Sequence, residues 1–270
     1  MLISVIVTTY NRPDALSLIL KSFNYQTDRN FEVIIADDGS GKETRKIINR
    51  MIIDSNYPIS YVWQEDAGFR AAKIRNLAAM KAKGEYLVFM DGDCIPRPTF
   101  IEKHRKLAQN SYLVAGDRIL LSEEYTNEVL KNETLVWNNS LLQWVKLYLN
   151  RKANRIYPLL SLPCMTMLRD LNKNWKKVRS CNLGIFKQDL IKVNGFDSSF
   201  SGWGYEDSDL AIRLIRAGVK VKSGRFATGV LHLFHPENDR SLEQKNLEKL
   251  NQVLNSDKIK AEDGIEQLNL

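Results

Sequence analysis

Cysteine and histidine are scarce in this chain of 270 residues, with three of each. Cys94, Cys164 and Cys181 are odd in number and far apart, and no C-x-x-C occurs. That excludes a disulfide framework and reads as free thiols of a reducing compartment. No stretch approaches the roughly 18 consecutive apolar residues of a transmembrane helix. Met1-Leu2 leads straight into Ile3-Ser4-Val5-Ile6-Val7, which is too short and lacks the basic start of a secretory signal. A cytoplasmic location is therefore expected. Internal repeats and low-complexity linkers are also missing. No strong charge bias singles out a partner: 39 basic and 32 acidic residues leave a net +7, which suits an anionic substrate, an anionic membrane surface or nucleic acid alike. No nucleic-acid-binding motif accompanies that charge, so nucleic acid is not expected.

The remaining composition, 44% hydrophobic and 26% charged, is that of a globular protein with one large domain or one and a half small ones. Its organising stretch is Glu85 to Cys94. Tyr86 to Met90 is an apolar run of strand length between Gly84 and the prolines Pro96 and Pro98, and it reads as the buried central strand of a mainly parallel sheet. Residues i and i+2 of an extended chain point to one side, so Asp91 and Asp93 can converge, while Gly92 allows close approach to the main chain. Paired hard oxygens at a strand end suit Mg²⁺ or Mn²⁺. A plain acidic turn is the alternative.

In chain order, Ile3 to Thr8 is a first strand, and Asn11-Arg12-Pro13-Asp14 turns into a helix striped by Leu16, Ile19, Leu20 and Phe23. Phe31 to Ala36 is a second strand, ending in Asp37-Asp38-Gly39-Ser40. A helix with Ile47, Ile48, Met51 and Ile52 inward follows, then an alternating strand (Ile59, Tyr61, Trp63), then a helix marked by Ala71, Ile74, Leu77 and Ala78. This alternation predicts an α/β, Rossmann-like, mainly parallel sheet with flanking helices and right-handed crossovers. Ligands of such sheets sit outside the carboxyl ends of the strands, where Thr8 to Asn11, Asp37-Asp38 and Asp91-Asp93 fall. From about residue 117 the rhythm changes. Residues 123 to 180 carry long helical patterns with exposed-looking aromatics and cations, among them Trp137, Trp144, Tyr148, Tyr157 and Trp175. They read either as a helical insertion packed on the sheet or as a surface resting on anionic lipid or a lipid-linked acceptor. Residues 237 to 270 read as a helix (Leu247, Leu250, Leu254) with a frayed end.

Thr8-Thr9-Tyr10-Asn11-Arg12-Pro13, Asp37-Asp38-Gly39-Ser40, Gly68-Phe69-Arg70 with Arg75-Asn76, and Asp91-Gly92-Asp93 together resemble the family 2 inverting glycosyltransferases of GT-A fold. Asn194-Gly195-Phe196-Asp197 and Gly202-Trp203-Gly204-Tyr205-Glu206-Asp207 resemble the acceptor half of that family, and the β-galactosyltransferase and chondroitin-synthase-like domains related to it. The resemblance covers residues 3 to about 116 and about 180 to 236. It implies a nucleotide-sugar half (1–116), an acceptor half with a helical insertion (117–236, insertion about 123–180) and a C-terminal helix and tail (237–270).

By the same resemblance, Asp37 accepts a hydrogen bond from N3–H of uracil or thymine beside the Thr8–Thr9 backbone, and Tyr10, Asn11, Arg12, Asp38 and Gly92 line the donor site. Arg70 and Arg75 flank the same sheet end, where either could pair with diphosphate. Asp93, with Asp91 acting through ribose or water, is implied to hold a divalent ion that neutralises the leaving diphosphate. His232 and His235 lie where the family completes the metal shell, and at least one of them is expected to be a ligand. Zinc would need a fuller ligand set, and the sequence places no thiolate pair near these histidines. Asp207 is implied to be the general base, with Glu206 placing the acceptor and Trp203 and Gly204 offering a surface for a sugar ring. Capping of the following helix is the bland alternative for both acids.

The expected activity is metal-dependent transfer of a hexose or N-acetylhexosamine from a UDP-sugar to a hydroxyl of a surface glycan or lipid-linked acceptor. Ser208 departs from the further acid that many such relatives carry. A sugar-1-phosphate nucleotidyltransferase would want a glycine-rich loop after the first strand, and Thr8 to Pro13 has no glycine. A non-catalytic glycan- or lipid-binding module would have no use for Asp91, Asp93, Asp207 and the late histidines together.

Overall fold

The computed structural model describes residues 1–156, 169–170 and 174–268. Tyr157 and Cys164 lie outside the described residues. The first half alternates as the periodicity predicts: β1 (Ile3–Thr9), α1 (Pro13–Phe23), β2 (Phe31–Asp37), α2 (Lys42–Asp54), β3 (Ile59–Trp63), α3 (Ala71–Lys81) and β4 (Tyr86–Asp91). Pro13 opens α1, where its missing N–H costs nothing. Thr9 pairs with Asp37 and Thr8 with Asp91 across parallel ladders, so three polar strand ends meet at one edge.

The chain continues as β5 (Cys94–Ile95), α4 (Phe100–Leu107), β6 (Tyr112–Ala115), β7 (Arg118–Leu120), α5 (Glu123–Asn132), α6 (Leu141–Leu149), β8 (Asn182–Phe186), α7 (Lys187–Lys192), α8 (Glu206–Arg216), β9 (Lys220–Ser223), β10 (Val230–His232) and α9 (Glu243–Leu254). The main sheet runs β3-β2-β1-β4-β8-β6-β9, with β4 in the middle. β8 is antiparallel to β4 and β6, and the other pairs are parallel. Residues before and after 116 thus share one sheet. A small second sheet, β5-β10-β7, pairs His232 with Cys94.

Strand alternation divides the core into two layers. Val5, Val7, Tyr86, Val88 and Met90 face α1, and Ile6, Ile34, Leu87 and Phe89 face α3 and α8. Each such fully buried side chain contributes about 1.5–3 kcal/mol of apolar burial.

Several expectations need correction. Ile52 of α2 is 43% exposed, because the inward stripe is Thr44, Ile48 and Met51. Among the described residues between 123 and 180, the long helices expected there give way to two short α-helices, α5 and α6. Trp144 is buried, and Trp137 packs on Tyr25 and the core, because aromatics spaced for a helix filled the sheet-facing side of α6 and its approach. Tyr148 is exposed. The described part of the C-terminal segment, through Leu268, is tied down rather than frayed. Past α9 the chain returns to the body, with Ser198 N–H donating to the Asp263 carbonyl at 2.7 Å, Ala261 N–H to Val193 and Ile265 N–H to Asn194. Ile265 joins the core layer of α3 and α8.

Candidate active site

The carboxyl ends of β1, β2 and β4 open into a cavity of about 660 Å³, closed on the far side by the segment before α8 and the loop after β10. Thr8, Thr9, Tyr10, Asn11 and Arg12 line one wall of it. Asn11 adopts a left-handed backbone (φ 47°) and is fastened to the next strand end: its N–H donates to Ser40 Oγ at 2.8 Å, and its Oδ1 accepts from Gly41 N–H at 2.9 Å. Arg12 pairs with Asp14 at 3.2 Å.

Asp37, expected to meet the base, does not reach the cavity. It is fully buried, with Oδ1 accepting from Ser40 N–H and Oδ2 from the Tyr61 hydroxyl, both at 2.8 Å. In-plane alternation turns the last residue of β2 into the fold and the next one outward. Asp38 lines the cavity, held by Gln64 Nε2 and by Arg70 N–H at 2.7 Å. Burial pushes the Asp38 carboxyl above its ordinary range, and these donors oppose that.

Both arginines are engaged by protein groups, although Arg75 also lines the cavity. Arg70 serves Asp38 through its backbone and turns its guanidinium to the Glu65 carbonyl. Arg75 is 4% exposed and committed to its neighbours: Nε donates to Thr8 Oγ1 (3.1 Å), Nη1 to Glu206 Oε1 (3.0 Å) and Nη2 to Asp91 Oδ1 (3.2 Å). A cation this deep is stable only when paired. Burial raises the pKa of Asp91 and of Glu206, each further raised by its neighbouring carboxylate, while Arg75 pulls both back. Arg75 therefore ties the end of β4 to the start of α8.

Gly92 makes the turn after β4 possible. Its N–H donates to Thr8 O at 2.7 Å, and a Cβ there would stand 2.9 Å from that oxygen. The turn delivers Asp93 to the second sheet, where His235 Nε2 lies 3.2 Å and His232 Nε2 3.6 Å from its oxygens. Of the two carboxylates expected at an ion, Asp93 alone meets the imidazoles; Asp91 is held by Arg75. Burial lowers the His232 pKa, with Asp93 opposing, which favours a neutral imidazole. His235 Nδ1 stands 2.7 Å from the Pro236 carbonyl, a contact that requires N–H on Nδ1 and leaves the Nε2 lone pair facing a carboxylate unless a proton or cation lies between. One carboxylate and two imidazoles converging in this way fit a divalent cation.

On the wall formed by the segment before α8, Trp203 and Gly204 line the cavity. Gly202 (φ 76°) and Gly204 (φ 108°) take backbone conformations that L side chains rarely adopt, which turns Trp203 outward, and Arg240 stacks 4.5 Å from its ring centroid. Tyr205 stands at the N-cap of α8 without a side-chain cap bond. Asp207 accepts from Ser180 N–H at 3.4 Å and Ser208 Oγ at 3.3 Å, and it lines the cavity rather than capping the helix. Arg118, Arg179, Cys181 and Asn238 also line it. The sequence reading missed these four, because isolated residues on β7 and in loops carry no local pattern.

Residues 4–176 match the family model described as glycosyl transferase family 2, and residues 164–236 match one described as the N-terminal domain of galactosyltransferase. Chondroitin synthase of Escherichia coli is 28% identical over 233 residues, covering 82% of this chain and 33% of the relative. The chain thus spans about a third of that protein's length. S. aureus TarS 1–349 in complex with UDP superposes with a TM-score of 0.65 at 16% identity, covering 99% of this chain and 68% of that one. The mannosyltransferase PcManGT from Pyrobaculum calidifontis, in complex with GDP-Man and Mn²⁺, gives 0.62 at 17% identity over 94% and 63%. These structures share the GT-A architecture of the mixed sheet. By the match over most of its length, this chain belongs to glycosyl transferase family 2.

Proposed function

We propose that the chain is a metal-dependent, inverting glycosyltransferase that moves a hexose or N-acetylhexosamine from a UDP-sugar to a hydroxyl of a surface glycan or lipid-linked acceptor. The observation that carries this reading is one cavity with Asp93 and His235 at one corner, His232 standing 3.6 Å from Asp93 behind them, and Asp207, Glu206 and Trp203 along another wall. Mn²⁺ or Mg²⁺ bound by Asp93, His232 and His235 would supply Lewis-acid neutralisation of the charge that grows on the leaving diphosphate. Asp207 takes the proton of the attacking acceptor hydroxyl, while the new C1–O bond forms and the bond from C1 to the diphosphate oxygen breaks. One displacement inverts the anomeric centre. Arg75 opposes the effect of burial on Glu206 and Asp91 and fixes both beside the transferred ring. Asp38 and the Thr8–Arg12 loop hold the nucleotide.

Complexes of TarS with UDP and UDP-GlcNAc, and of PcManGT with GDP-Man and Mn²⁺, support the donor class and the ion. Residues 1–116 would serve mainly the donor and 117–236 the acceptor. No described helix is long and apolar enough to cross a membrane. Leu141, Leu142 and Leu149 of α6 are exposed (60%, 81% and 72%) near Lys146 and Arg151, and this favours docking on the anionic inner face of a membrane where a lipid-linked acceptor would be met.

A screen of nucleotide sugars with Mn²⁺ tests the reading. UDP release from a UDP-sugar, abolished by EDTA and restored by Mn²⁺, is the expected result. Full turnover in EDTA overturns metal dependence. Formation of UDP-sugar from UTP and a sugar 1-phosphate instead would make the chain a nucleotidyltransferase.

A further inference from the structure

Cys94 and Cys181 are 87 positions apart in the chain, yet the fold brings both to the corner of Asp93. Cys94 is fully buried in β5, its Sγ donates to Asp93 Oδ1 at 3.5 Å, and the neighbouring Cys181 lines the cavity. β10 sets His232 directly opposite Cys94. One ligand atom each from Asp93, Cys94 and His232 lie within 4.8 Å of one another. Ligands about 2.0–2.3 Å from a tetrahedral zinc stand roughly 3.3–3.8 Å apart, so small rotations close this set around one ion. His235 on the other Asp93 oxygen, 3.2 Å away, is the fourth donor in reach.

A hard ion gains little from sulfur, whereas a thiolate with imidazoles and a carboxylate is a donor set that zinc prefers. We propose that Asp93, Cys94 and His232 form a binding site for a thiophilic divalent cation, Zn²⁺ first, which overlaps the site of the catalytic ion and inhibits by excluding it. This rests on the reading above that Asp93 and His232 serve the catalytic ion. On binding, the Cys94 S–H bond breaks, its proton passes to water, and an S–Zn bond replaces one zinc-bound water; nothing is oxidised or reduced. The Cys181 side of the cavity is the route of entry.

Co²⁺ titration of the purified full chain, with Co²⁺ as the coloured substitute for Zn²⁺, tests the site without glycosyl transfer. A sulfur-to-cobalt charge-transfer band is expected at one equivalent, lost on adding Zn²⁺, absent in Cys94→Ser and retained in Cys181→Ser. A wild-type Co²⁺ spectrum with no such band overturns the proposal. Should Cys94→Ser not fold, zinc-edge X-ray absorption of the wild type decides. A sulfur neighbour at about 2.3 Å supports the site, and a shell of nitrogen and oxygen alone overturns it. Electron paramagnetic resonance of Mn²⁺ separates this proposal from the functional one. A cobalt band without Mn²⁺ binding leaves the thiol site standing and removes its overlap with catalysis. Mn²⁺ binding that Zn²⁺ does not displace, with no cobalt band, removes the thiol site and leaves the catalytic reading intact.

Discussion

Asp207 and Asp93 reach the same cavity from different elements, so their removal should separate chemistry from donor binding. A general base typically contributes about 10² to 10⁴ in rate. Asp207→Asn should slow transfer at least about a hundredfold on that scale, with calorimetric UDP affinity nearly unchanged. A near wild-type rate would reduce Asp207 to a helix-end acid. His104 carries a different prediction. It is fully buried between Tyr86 and Phe100, with Nε2 3.1 Å from Asn182 Oδ1, and burial lowers its pKa from 6.5 to about 4. Between those values the unfolded chain binds a proton at His104 that the native chain does not. Stability is therefore complete above about pH 6.5 and falls as pH drops toward 4, by about 3 kcal/mol at most. Urea midpoints from pH 7 to 4.5 should decline less steeply in His104→Gln. At this scale the sequence was legible where acids sit in pairs at element ends, as in Asp91-Gly92-Asp93 and Glu206-Asp207. Asp38 lines the cavity as expected, whereas Asp37 turns into the core: one residue of register decides which of the two faces inward, and only the Tyr61 and Ser40 contacts reveal it.

Elements were legible wherever one face is buried, since period 3.6 or 2 then writes itself into the chain. α8 shows what periodicity hides. Asp209 and Arg213 are both fully buried on it, paired at 2.6 Å, and Arg213 Nη1 also donates to the Val193 and Gly195 carbonyls. No local pattern in the sequence distinguishes them from surface charges. Removing one partner of such a pair strands a buried charge at a cost of about 3–5 kcal/mol. Arg213→Met should lower unfolding free energy by that amount in urea, far more than Arg50→Met at the exposed pair with Asp54, where about 1 kcal/mol is the upper end. For α6, the exposed leucines predict association with anionic vesicles that weakens from 0.1 to 1 M salt, as the screening length shrinks from about 10 Å to about 3 Å. No co-sedimentation at low salt would leave α6 as a helix packed on the body through Trp144 and Leu147, and co-sedimentation unaffected by salt would rest the contact on the leucines without the cations.

At the scale of the whole molecule, the parallel half was readable because each crossover is local. β8 was not: it enters beside β4 from nearly a hundred residues away in the chain and runs against it, and no local pattern encodes such a partner. That strand and the second sheet complete the site, since β10 carries His232 to the turn that follows β4. Donor and cation should consequently stabilise the fold together. A ligand at about 100 times its dissociation constant adds about 2.7 kcal/mol, roughly 5 °C or more in a chain of this size. UDP with Mn²⁺ should raise the melting temperature by that margin, while UDP with EDTA should raise it much less. Asp93→Ala should abolish the Mn²⁺-dependent part because it removes the carboxylate that both imidazoles face. Asp207→Asn should keep the whole shift, since it leaves that corner untouched. If UDP stabilises Asp93→Ala as fully as the wild type, the nucleotide is held by the Thr8–Arg12 loop and Asp38 without an ion, and the His232–His235 pair serves the link between the two sheets instead.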